Sequence, residues 1–217
     1  MKVKVKDLAI GSEFSAGPAT LRILDHFTDG TTFVIAAKSI GDRPFNIYPF
    51  LYEFPERRTI VIADEIFRDG SYDIYSFIRE LPPKGFNLND WRTSTIRKDL
   101  NENFLSALQA AGKIDTNRIV TTEWDLSDPL GGAGYGTSRD KIGLLSEKQF
   151  ERYAEKGLLE PYNWWWLITP NYAHTECSDF VRIVDDDGKP SNHYAYIGDG
   201  GVRPAFRLES ETEVELP

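Results

Sequence analysis

A single cysteine, Cys177, stands among 217 residues. No disulfide can close within the chain, so the fold must rest on its apolar core. No run of about 18 apolar residues occurs, which predicts no membrane span. The opening MKVKVKDLAIGSEF also lacks the apolar segment of about 7–15 residues that marks a signal peptide. Positive charge is scarce: 25 Lys and Arg face 34 Asp and Glu, a formal net charge of −9. That balance, with no basic run, sets the chain against nucleic acid as a partner. Three histidines and one cysteine leave few groups for nucleophilic or metal chemistry. The expectation is an acidic, soluble, cytoplasmic protein.

What is present reads as strands, then helices, then strands. Val3 and Val5 alternate with lysines, and Leu21, Ile23 and Leu24 precede Asp29-Gly30, a strong hairpin turn. TTFVIA (31–36) is the return strand. A strand at 59–63 and a short helix over Tyr72–Arg79 are expected in a stretch punctuated by Pro44, Pro49, Pro55, Pro82 and Pro83. Ile96, Leu100, Phe104, Leu105 and Leu108 recur at helical spacing up to Gly112, with Asn101 or Asn103 as the cap of a second helix in the alternative reading. Ser146 and Gln149 form a capping-box pattern, flanked by Leu145 and Phe150 as a staple, and Gly157 ends that helix. Val202 to Leu208 alternate again. Pro204 has no N–H to donate, so this strand is expected at an edge or a bulge. The order predicts an α+β fold with the chain ends adjacent in one sheet.

The segment NWWWLITP (163–170) carries three consecutive tryptophans. In a strand, Trp164 and Trp166 face one side and Trp165 the other. A continuous apolar run fits a strand buried on both faces. Two core rings and one partly exposed is the expectation; a stacking platform for a flat ligand is the alternative.

These residues also carry a family resemblance. WWWLITP (164–170) resembles the WWLRSP-type motif of a widespread uncharacterised family of bacteria and their phages. GVRPAFRL (201–208) resembles that family's GVRPALWL ending. WRTSTIRKDLNENF (91–104) and DKIGLLSEKQFERY (140–153) resemble two further blocks in the expected order, and LRILDHFTDGTTFVIA (21–36) is similar to the family's N-terminal hairpin. Ile168-Thr169 stand where the motif has Arg-Ser, so that arginine's role does not carry over. The resemblance spans nearly all of a single domain, 1–217, except about residues 50–85, which read as an insertion. It implies no activity. By analogy it implies a C-type-lectin-like α+β fold: one small twisted antiparallel sheet, two helices and long loops. It adds the virion to the host cytoplasm as an expected location. Trp91, Arg97, Trp165, Trp166, Arg203 and Pro204 form its structural signature.

Chemistry is thin along the chain. The loop Gly131 to Gly136 follows Asp128-Pro129 with no GK[ST] after it, so it reads as a binding loop and not a phosphate cradle. His174, Cys177 and His193 lack the fourth ligand of a structural zinc site, and no flanking motif makes them a Cys–His nucleophile. One cysteine also disfavours a formylglycine-type oxidation. Asp185-Asp186-Asp187-Gly188 falls short of a calcium loop and reads as a turn between strands Phe180–Val184 and Tyr194–Ile197. No cofactor is expected, with a loop-held calcium ion as the alternative. Arg92, Arg97 and Arg203 are expected as structural clamps, with an anion pocket as the alternative.

The resulting expectation is a non-enzymatic recognition or assembly protein of a phage or mobile element. It would bind a protein or carbohydrate partner through loops 125–139 and 171–200, by Tyr135, Tyr172, His174, His193, Tyr194 and Tyr196. A self-assembling virion structural protein, hence a homo-oligomer, and an enzyme on a formylglycine-enzyme-like fold are the alternatives.

Overall fold

The computed structural model describes residues 2–46, 87–161, 163–173 and 178–215. The insertion expected at 50–85, its strand and short helix, and His174 and Cys177 lie outside them.

The Asp29-Gly30 turn forms as its residues predict. Asp29 Oδ1 accepts from the N–H and hydroxyl of Thr31 at 3.0 and 2.6 Å, and Gly30 takes φ +80°. It joins β3 (Thr20–His26) to β4 (Thr31–Ala36). Every residue of β4 is buried, and β4 is flanked on both edges, by β3 and by β12 (Ala205–Glu209). With β2 (Glu13–Ser15) and β5 (Ile119–Val120) the sheet order is β2-β3-β4-β12-β5, and β8 (Ile142–Gly143) also pairs with β12. Strand β12 is therefore central and not at an edge. Pro204 stands one residue before it, outside the ladder, and its carbonyl accepts from Ala36 N at 2.8 Å. The missing N–H costs nothing there.

Three smaller antiparallel sheets complete the described residues. β1 (Lys2–Lys4) pairs with β13 (Glu213–Glu215), Val3 opposite Val214, so the chain ends do meet in one sheet. β6 (Thr122–Asp125) pairs with β7 (Thr137–Asp140). β9 (Trp165–Pro170), β10 (Phe180–Val184) and β11 (Pro190–Tyr194) form a three-stranded sheet in the order β11-β10-β9. The 185–188 turn joins β10 to β11, with Asp185 Oδ1 accepting from Asp187 N and Lys189 N. The return strand thus begins at Pro190, four residues earlier than the alternation of 194–197 suggests.

Helix is the minor component. Ser94 caps the run that begins at Thr95, but the run is broken: Thr95–Asp99 is α, Leu100–Phe104 a π turn, and Leu105–Ala111 α again, closed by Gly112 at φ +61°. Asn101 and Asn103 cap nothing. The Asn101 amide instead brackets Ile142, donating to its carbonyl and accepting from its N–H. Among the described residues only Glu147–Ala154 is an uninterrupted α-helix of two turns, opened by the expected reciprocal Ser146–Gln149 box. The expected lectin-like α+β architecture, one small sheet with two helices, is overturned. The fold is mostly β, built from several small antiparallel sheets. Strands of two to four residues such as β5 to β8 carry too little alternation to be counted from sequence.

The tryptophans sort as their pattern predicts. Trp165 and Trp166 are buried and Trp164 is half-buried. Trp165 meets Phe150 edge-on at 5.7 Å, whereas Trp166 packs on Phe45 and donates from Nε1 to the Arg43 carbonyl at 2.8 Å. Each buried ring removes roughly 200 Å² from water, about 5 kcal/mol of gross transfer free energy. Gly200 makes room for them: a Cβ there would stand 2.1 Å from Trp166 Nε1 and 2.7 Å from the Trp164 ring.

Candidate functional site

Two of the motif blocks meet at one buried carboxylate. Asp140, on β7, accepts from Trp91 Nε1 at 2.9 Å, Ser138 Oγ at 2.7 Å and Arg97 Nε at 2.9 Å, and pairs with Arg97 Nη2 at 2.6 Å. Burial pushes its pKa up, but the donors from Arg97, Ser138 and Trp91 outweigh that and hold it below the usual carboxylate range. Every lone-pair direction is in use, so Trp91 and Arg97 fasten the 95–111 helical run to β7. Arg92 is likewise committed, bonded to Asp90 and lying 5.4 Å from the Tyr135 ring.

The three-stranded sheet is organised differently at its outer strand. Aromatic rings follow one another around β11: Trp164 meets Trp166 edge-on at 5.0 Å and stacks on His193 at 5.2 Å. His193 meets Tyr194 edge-on, Tyr194 stacks on Tyr196 at 5.2 Å, and Phe180 lies 4.1 Å from Tyr194. Trp164, Phe180, His193, Tyr194 and Tyr196 are all half-buried, so each ring is fixed by a neighbour yet still reaches solvent. His193 Nδ1 accepts from Tyr194 N at 2.8 Å, and the Tyr194 carbonyl accepts from Ile197 N. The imidazole must be unprotonated at Nδ1 to do so. Burial lowers its pKa, with Asp199 opposing, in keeping with that role.

The loop leading into β10 is held from beneath by a buried side chain that sequence reading misses. Asn89 Nδ2 donates to the carbonyls of Tyr172 and Phe180 at 2.9 and 2.8 Å, its N–H donates to the Ser178 carbonyl, and Tyr135 donates its hydroxyl to Asn89 Oδ1 at 2.6 Å. Tyr135 is thus buried as an anchor and is not on the surface. Its loop is closed by Asp128 Oδ1, which accepts from Leu130 N and Gly132 N, and by Gly134, whose φ of +53° and closeness to the Leu126 carbonyl admit no side chain. At the tip Leu130 is 79% exposed.

Of the six expected contact residues, the structure therefore brings His193, Tyr194 and Tyr196 together. Tyr172 is exposed at 40% on the Asn89-held loop, Tyr135 lies beneath that loop, and His174 lies outside the described residues. Phe180 and Trp164 join the set; the signal for Trp164 was its place at the exposed end of the tryptophan run. Asp179 stands one position before Phe180, and its carbonyl accepts from Ala195 N. Its Oδ1 is buried with no hydrogen-bond partner, and burial raises its pKa. Among the described residues no group of three or more His, Cys, Asp or Glu side chains is arranged to hold a metal ion. In the 185–188 turn the Asp185 and Asp186 carboxylates serve backbone N–H groups, Asp186 accepting from Trp164 N at 2.7 Å. No described helix is long and apolar enough to cross a membrane.

Residues 58–210 match the family described as "Domain of unknown function (DUF6273)". The match starts inside the 50–85 stretch. No curated protein and no solved structure matches the chain. The matched span exceeds half of the sequence, and the chain belongs to that family.

Proposed function

We propose that this member of DUF6273 is a non-enzymatic recognition module that binds a carbohydrate along the ring-lined edge at β11. One observation carries the reading: the unbroken series of half-buried rings from Trp164 through His193 to Tyr194, Tyr196 and Phe180. Rings already packed against one another lose little further entropy when a flat apolar sugar face stacks on them. Asn163, Asn192 and Asp199 are exposed side chains close in sequence to that series and supply hydrogen-bonding groups; Tyr172, exposed on the loop before β10, supplies contact area. Tyr135 and Asn89 act as positioning residues under the loop. The reading needs no cofactor. The setting we propose, a phage or other mobile element of a bacterial host, rests on the motif resemblance.

The test is a glycan array probed with the purified chain, followed by calorimetry on any ligand found. Tyr194→Ala and Tyr172→Ala should each weaken binding at least about tenfold while the far-ultraviolet spectrum stays unchanged. A folded chain that binds no glycan, or one that light scattering shows to assemble into trimers or larger particles through this edge, defeats the proposal. The second outcome supports a virion structural role instead.

A further inference from the structure

A cleft of about 410 Å³ opens between Glu13, the start of β3, the 37–40 segment after β4, and Glu160-Pro161. Four of its lining residues are charged: Glu13, Arg22, Lys38 and Glu160. Arg22 is committed, with Nε and Nη2 donating to Glu13 at 2.9 and 2.6 Å and Nη1 to the Leu158 carbonyl at 2.7 Å. Lys38 and Glu160 form no ion pair among the described residues.

Behind the wall sits Arg203, from the GVRPAFRL segment, only 2% exposed. Its Nε and Nη2 donate to the carbonyls of Ala36 and Ala37, both at 3.0 Å, and its guanidinium lies 4.8 Å from the Trp165 ring centre. Ala37 is itself part of the cleft lining. Among the described residues no carboxylate pairs with this arginine. The charges that act on it are Arg22, Glu160 and Glu13, all three in the cleft, and burial brings its pKa down to about 10. A buried cation satisfied only by carbonyls and a ring is costly, and a counter-ion nearby relieves that cost.

Counting charges selects the class of ligand. Arg22, Lys38 and Arg203 against Glu13 and Glu160 leave one positive charge uncompensated, in a chain whose formal net charge is −9. A single carboxylate balances that. A phosphate dianion overshoots it and is repelled by the two glutamates. We propose that this cleft binds the carboxylate of a small monoanionic ligand, against the Lys38 ammonium and within the field of Arg203. The volume falls in the range of small-molecule sites, about 300–1,000 Å³. The inference is independent of the β11 reading, since the two share no residue.

The full chain would be titrated with N-acetyl forms of the common amino acids, their neutral amides, the free amino acids and inorganic phosphate, by thermal unfolding and calorimetry. At least one N-acetyl amino acid should raise the unfolding temperature and bind, while its amide does neither and phosphate binds more weakly. Lys38 is exposed, so Lys38→Ala should fold normally and bind about tenfold more weakly; Glu160→Gln should bind the carboxylate at least as tightly as the parent. Four results overturn the proposal: no carboxylate binding at about 10 mM, equal binding of the amide, unchanged affinity in Lys38→Ala, or tighter binding of the free amino acid than of its N-acetyl form.

Discussion

Two aspartates show how differently this protein treats a carboxylate under cover. Asp140 receives Trp91, Ser138 and Arg97 and is held ionised. Asp179 has a buried oxygen with no donor and a pKa raised by burial. The first is a finished joint between helical run and strand. The second sits beside a ring-lined edge whose groups remain half-open to solvent. A buried polar atom without a partner is costly, typically about 1–3 kcal/mol, and such costs persist where a region is shaped for something other than its own stability.

That contrast is broken most directly at Asp140. Asp140→Ala leaves Trp91 Nε1, Ser138 Oγ and a partly buried guanidinium unserved, and should cost about 3 kcal/mol in urea unfolding; a loss below about 1 kcal/mol would make the joint no stronger than a surface pair. Asn89→Ala should cost about 2 kcal/mol. Hydrogen exchange should speed up over the described part of 172–180 while β3 and β4 stay protected. Equal loss of protection in both regions would show that Asn89 supports the whole fold and not the loop.

Asp179 gives the smaller, opposite effect. A carboxyl whose folded pKa is raised stabilises only below its ordinary value near 3.8, and that contribution fades as pH rises through the folded pKa. Asp179→Asn should therefore raise the unfolding temperature at pH 7, by about 1–2 °C, and leave it unchanged near pH 3. The smallest effect belongs to His193. Its folded pKa is lowered, so its contribution is complete above the ordinary value of about 6.5 and is lost as pH falls toward the folded pKa. Parent and His193→Gln should thus converge in stability between about pH 7 and pH 5. Parallel curves would place the imidazole outside the titrating groups.

How much of this was visible in the sequence follows from how far each signal reaches. The Asp29-Gly30 hairpin, the Ser146–Gln149 box and the 185–188 turn are local, and the residues that specify them lie within five positions. That two of the three tryptophan rings are core and one is partly exposed was legible in the continuous apolar run; which one is exposed was not, since alternation places Trp164 with Trp166. The four sheets did not follow, because strands as short as Ile119–Val120 and Ile142–Gly143 exist only through β12, far away in the chain. Asn89 was invisible for the same reason: its carbonyl partners lie 83 and 91 positions along. Tyr135 shows the limit of composition, since a tyrosine in a glycine-rich loop reads as a surface contact until its hydroxyl is found buried on Asn89.

The central place of β12 carries a consequence for how the chain is made. Strand β4, with six buried residues, is synthesised long before Ala205–Glu209, the strand that covers its second edge. On the ribosome the hairpin of β3 and β4 must wait, edge open, until residues 205–209 emerge. Folding of the large sheet is therefore dominated by non-local pairing and is slow for the chain's size. During that wait the β4 edge is the point most exposed to mispairing with another nascent chain. A premature stop before residue 205 should release an aggregating protein, not a shortened but folded one.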